Sequence, residues 1–177
     1  MRHYRFKVIG EVEGQFELIM DICNLLISDD PLTKKDQVTI LYNSGGGCYF
    51  TGVKIIEALK LLQKHTRVRI VNCGHVASMA AAIFLSVKDR YMLPTSDFMM
   101  HHARLYDIST LSAKEAREAE KDLNKSNKIL AKMTVKKLKL TKAQLEVYNR
   151  GSDLTLDYQA ALKAGMAKPF DELITKG

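Results

Sequence analysis

Apolar and polar positions along this chain switch repeatedly between a two-residue period and a helical one. Arg5 to Val8 alternates charged and apolar side chains, which with Ile9 predicts a first strand. Gln15 to Ile27 carries Phe16, Ile19, Met20, Cys23 and Leu26 at helical spacing, and Asp30-Pro31 breaks it. Gln37 to Tyr42 is short and rich in β-branched residues, the mark of a buried strand. Thr51 to Lys64 sets Val53, Ile56, Leu59 and Leu62 on one helical face. Val68 to Cys73 is a further strand, and Ala77 to Leu85 a helix of small residues. Arg90 to Leu93 and Phe98 to His101 predict short strands around the turn Pro94-Thr95-Ser96. Ser109 to Leu138 predicts a long charged helix, Thr141 caps a short one, and Leu156 to Ala164 is a last helix stopped by Gly165. Strands alternating with helices predict an α/β fold with a twisted, mostly parallel sheet flanked by helices.

A length of 177 residues suits one domain, taken as residues 1–177, with no repeat or Pro/Gly-rich linker to divide it. No apolar run is long enough to cross a bilayer, and the N-terminus enters a strand pattern without a signal-peptide core. The expected location is cytoplasmic, without membrane contact. Cys23, Cys48 and Cys73 form no CxxC pair, which argues against a zinc site or a disulfide framework and predicts buried free thiols. The net charge of +7 raises the question of nucleic acid. Much of the excess is a stripe of Lys121, Lys125, Lys128, Lys132, Lys136, Lys137 and Lys139, with few aromatic residues for base stacking. A solvated helix face, or one that meets an acidic partner, accounts for it, and no nucleic-acid partner is expected.

Two stretches repeat one arrangement of strand, glycine turn and helix: Leu41 to Gly47, and Val71 to Ala82. Such turns leave backbone N–H groups free at a helix start, where the helix dipole favours developing negative charge. Side by side in a parallel sheet they can form an oxyanion hole, with Ser78 as an exposed nucleophile at the second. Plainer roles exist for each piece. Gly45-Gly46-Gly47 lacks the Lys-Ser/Thr of a phosphate loop and can be a simple turn. Ser78 can be a helix cap. His101 and His102 are adjacent, so at most one points at Ser78. Asp153 can be a turn residue or cap.

Taken together, these segments resemble the Clp protease proteolytic subunits, serine peptidases of the ClpP/crotonase fold. Asn43-Ser44-Gly45-Gly46-Gly47 matches that family's N-S-P-G-G, and Gly74-His75-Val76-Ala77-Ser78-Met79-Ala80-Ala81 its G-x-A-A-S-M-G-A. Leu93-Pro94-Thr95-Ser96-Asp97-Phe98-Met99-Met100-His101 matches its L-P-N-S-x-x-M-I-H. Asp153 stands twelve residues before Gly165, the family's spacing for its acidic residue. The resemblance runs from about Val8 to near the C-terminus. It implies Ser78 as nucleophile, His101 as base, Asp153 as the residue that orients the base, and the N–H groups of Gly47 and Met79 as oxyanion donors. It implies polypeptide substrates, no metal and no cofactor. It also implies a protruding handle helix over about 109–140 and a homo-oligomer of stacked heptameric rings enclosing a chamber.

The sequence departs from the family at several places. Gly45 replaces a proline and Ala80 a glycine. The family's Q-P and glycine-rich strand after the base is here His102-Ala103-Arg104-Leu105-Tyr106. Met1 lies just ahead of the first strand, so no axial gate is expected, and docking to a ring ATPase unfoldase does not follow from the resemblance. Two alternatives stay open: a non-catalytic ring subunit paired with an active paralogue, and a crotonase-type acyl-CoA enzyme.

Overall fold

The computed structural model describes residues 1–104 and 109–171. Its first half builds the sheet in chain order. Strand β1 (His3–Ile9) leads to helix α1 (Val12–Asn24), β2 (Gln37–Ser44), α2 (Tyr49–His65), β3 (Arg67–Ala77) and α3 (Met79–Ser86). Two short strands follow, β4 (Asp89–Met92) and β5 (Asp97–Met100). Then come α4 (Ala113–Met133), α5 (Lys142–Asn149), β6 (Leu154–Leu156), α6 (Tyr158–Ala164) and β7 (Lys168–Pro169). Strands β1, β2, β3, β4 and β7 lie side by side in that order, all parallel. The fold is the expected α/β arrangement of a mostly parallel sheet flanked by helices.

Strand β3 is long enough to serve two neighbours. Its residues Arg69–Asn72 pair with β4, and His75–Ala77 pair with β5. Strand β6 closes this corner antiparallel to β5. The end of β3, the end of β5 and the segment just before β6 therefore meet at one edge of the sheet.

The alternation read from the sequence appears in β1, where Arg5 and Lys7 are exposed, Phe6 is half-buried and Val8 buried. In β2, Val38, Ile40 and Tyr42 are buried, while the alternate residues Thr39, Leu41 and Asn43 are only half-buried. The Tyr42 hydroxyl donates to Gln15 Oε1 of α1 at 3.0 Å, which satisfies a buried polar pair on that face. Helix α3 is buried on every side from Met79 to Leu85, and three consecutive alanines, Ala80 to Ala82, let the neighbouring elements approach it. Phe84 of α3 meets Phe98 of β5 with ring centroids 4.9 Å apart, and neither is exposed. Phe84→Ala removes one member of this pair and leaves a cavity. It is expected to cost about 3–5 kcal/mol, read as a lower denaturation midpoint at unchanged denaturant slope.

Several boundaries differ from the sequence reading. The long helix spans Ala113–Met133, not Ser109 to Leu138. Ser112 starts it through a capping box, accepting from the Glu115 N–H while the Glu115 carboxylate accepts from the Ser112 N–H. It stops at Thr134, and a 3-10 turn at Val135–Lys137 follows. Lys121, Lys125, Lys128 and Lys132 form an exposed stripe on α4, whereas Lys136, Lys137 and Lys139 lie beyond it. Thr141 does cap α5, accepting from the Gln144 N–H. The thiols are not uniformly buried: Cys23 is, but Cys48, at the N-cap of α2, and Cys73, within β3 between its pairings with β4 and β5, are partly exposed. Among the described residues, no helix is long and apolar enough to cross a membrane.

Candidate active site

The turn from β3 into α3 fixes Ser78. Its backbone lies at φ 55°, ψ −126°, and among the described residues it is the one non-glycine with positive φ. A side chain pays for this conformation in strain, on the order of 1–3 kcal/mol. The Ser78 N–H donates to the Met99 carbonyl of β5 at 2.8 Å, and its carbonyl accepts from Ala81 N–H at 3.1 Å. The residue stands at the N-cap position of α3, yet its hydroxyl makes no capping hydrogen bond. The plain role of a helix cap is therefore not the one it fills here. The turn aims the hydroxyl into a cavity instead.

The glycine turn after β2 packs directly against it. Gly46 has φ 108°, and a Cβ there would fall 2.6 Å from Ser78 Cβ and 2.9 Å from the Ala77 carbonyl oxygen. Only a residue without a side chain lets the two turns touch. The loop is anchored from below, where Val12 N–H donates to the Gly46 carbonyl at 2.9 Å. Gly47, at φ 140°, abuts the Glu13 carboxylate, whose Oε1 accepts from the Cys48 N–H at 2.9 Å. A carboxylate at the start of α2 suits the free N–H groups there.

Ser78, Met79, Gly47 and His101 all line one cavity of about 700 Å³. Met99 and Leu130 add apolar lining, and Glu11, Glu13 and Arg104 add charge. Cys48 lines it as well, and its thiol is held below the ordinary cysteine value, chiefly by the Thr51 N–H at the start of α2. His102 turns the other way and packs edge-on against Tyr148, with centroids 4.7 Å apart. Of the two adjacent histidines, His101 is thus the one on the Ser78 side.

The His101 ring is held by its own chain. Nδ1 lies 2.5 Å from the His102 carbonyl oxygen. A carbonyl can only accept, so Nδ1 carries a proton, and in the neutral ring Nε2 is then the nitrogen with the lone pair. No hydrogen bond joins Ser78 to His101, nor His101 to Asp153, among the described residues. The Asp153 carboxylate instead forms an ion pair with the Arg104 guanidinium. The structure so brings together four of the five residues read from the sequence, Ser78, His101, Gly47 and Met79, on one cavity. Asp153 is close by, one residue before β6, but engaged elsewhere.

Sequence reasoning missed Glu11, Glu13, Cys48 and Arg104 as cavity residues. Glu13 reaches Cys48 across 35 positions and Arg104 reaches Asp153 across 49, so no local pattern marks either contact. It also missed Asn127 of α4, whose Oδ1 accepts from the Ala103 N–H at 2.6 Å and ties the segment after His101 to that helix. Leu105 and Tyr106, read as part of the departure after the base, lie outside the described residues.

No curated protein matches the chain. The family model for Clp protease, however, matches residues 7–175, almost the full length and all of the turns that build the cavity. The chain belongs to the Clp protease family.

Proposed function

We propose that this protein is a serine endopeptidase acting on unfolded polypeptides. The observation that carries the reading is a strained Ser78, released from capping duty, opening on the same cavity as a His101 whose Nε2 is free to accept a proton. In the proposed reaction, His101 Nε2 takes the Ser78 hydroxyl proton as Oγ bonds to the peptide carbonyl carbon. The carbonyl oxygen becomes an oxyanion, met by the N–H groups of Gly47 and Met79. The imidazolium then gives its proton to the leaving amine as the peptide C–N bond breaks. Water, deprotonated by His101, releases the acyl group from Ser78. Asp153 would accept from Nδ1 in the working state, in place of the His102 carbonyl, and stabilise the imidazolium.

Met79, Met99 and Leu130 offer an apolar lining that suits side chains exposed in unfolded chains. Membership of the family supports assembly into rings that enclose the sites, which would restrict access to threaded, unfolded segments. A second reading, a catalytically silent ring subunit, is favoured by one observation: Asp153 is paired with Arg104 rather than with His101.

Release of fluorescent fragments from a labelled, unstructured protein separates the two. Wild type should release fragments, and His101→Ala should reduce the rate by at least about a thousandfold. No release by the wild-type assembly, or equal release by His101→Ala, would favour the silent subunit.

A further inference from the structure

His101 and Asp153 are kept apart by two separate contacts, and both arise from the short segment that follows His101. The His102 carbonyl takes the Nδ1 proton at 2.5 Å, so the imidazole already has an acceptor. Two residues further on, Arg104 holds the carboxylate that would otherwise compete for that proton. Ala103, between them, is tied to α4 through Asn127. The segment is thus a unit in which one carbonyl and one guanidinium satisfy both groups separately.

We propose that Arg104 is a positioning residue of inhibitory sign: by pairing with Asp153 it withholds that carboxylate from His101, and its release completes the triad. The inference rests on the serine-peptidase reading of the same site. Arg104 also lines the cavity that contains Ser78, so movement of the guanidinium toward the cavity frees Asp153 without unfolding any element. The tie at Asn127 couples the segment to the handle helix, so a shift of α4 moves the latch. Both side chains of the pair are about half exposed, at 54% for Arg104 and 46% for Asp153. Solvent screens such a pair, so its grip is limited and the gain on breaking it is modest.

The test is the second-order rate at which a fluorophosphonate labels Ser78 in the full-length chain. It is measured for wild type, Arg104→Gln, Arg104→Lys, Asp153→Asn and the double variant Arg104→Gln/Asp153→Asn. Arg104→Gln should label about two- to fivefold faster than wild type. Arg104→Lys keeps the charge and should stay near the wild-type rate. In the Asp153→Asn background, Arg104→Gln should have no effect, because the carboxylate it frees is gone. A purely structural arginine would not show this dependence. Unchanged or slower labelling of Arg104→Gln overturns the latch, as does an equal gain with Asp153 absent. If labelling of wild type is measurable, that failure touches the latch alone; if no variant labels, the serine reading falls with it.

Discussion

Ser78→Gly is expected to abolish hydrolysis and, at the same time, to raise the melting temperature. The activity loss, at least about a thousandfold, follows from removal of the attacking hydroxyl. The stability gain follows from the backbone. At φ 55°, ψ −126°, a residue with a Cβ is strained, and glycine is not. Glycine also loosens the unfolded chain, which takes back about 0.4–1 kcal/mol. Against a strain of order 1–3 kcal/mol, the net gain is about 1 kcal/mol. Ser78→Ala is the control, since it loses the hydroxyl but keeps the Cβ. It should be as inactive as Ser78→Gly and should not gain stability. Thermal denaturation of the three proteins side by side reads the difference. A glycine variant less stable than the alanine variant would mean that the turn is not strained, and with it the argument that strain serves to expose the hydroxyl would fail.

Gly46→Ala is expected to damage the site without replacing any residue assigned a chemical role. The added methyl would sit 2.6 Å from Ser78 Cβ and 2.9 Å from the Ala77 carbonyl oxygen, both too close to tolerate. Neither neighbour can yield freely. Ala77 is the last residue of β3, and Ser78 is held through its N–H by Met99. Either the glycine loop lifts, carrying the Gly47 N–H away from the cavity, or Ser78 shifts. A displacement near 1 Å is enough to cost about a hundredfold in rate. The positive φ adds a destabilisation on the order of 1–3 kcal/mol. Labelling rate and denaturation midpoint should both fall. A Gly46→Ala protein with wild-type labelling would show that the two turns are not packed as described.

How far the sequence revealed this arrangement depended on element length. Helices α1 and α2 were legible because each repeats its period over many positions and its buried residues follow that period, whereas β2 and α3 showed through β-branched and small-residue composition. Strands β6 and β7, with three and two residues, are too short to carry a period, and pairing with β5 and β4 makes them strands. The start of α4 had a local signal, Ser112 three residues before Glu115, that charge patterning alone overlooked. At the site, Ser78 and His101 were paired by the resemblance of the motifs around them to the Clp protease family, and both line one cavity. The strain at Ser78 was not legible, because backbone dihedrals at a turn are set by what the turn packs against. The diversion of Asp153 was equally hidden. A half-exposed ion pair between positions 104 and 153 has no periodicity, and its arginine lies where the family motif no longer matches.

The account stands on Ser78 being an activated nucleophile. The most direct measurement is the intact mass of wild type and Ser78→Ala after incubation with a fluorophosphonate, followed by peptide mapping of any adduct. The account predicts one adduct per wild-type chain, located at Ser78, and none on Ser78→Ala. An unmodified wild-type chain, or an adduct that persists on Ser78→Ala, would contradict it.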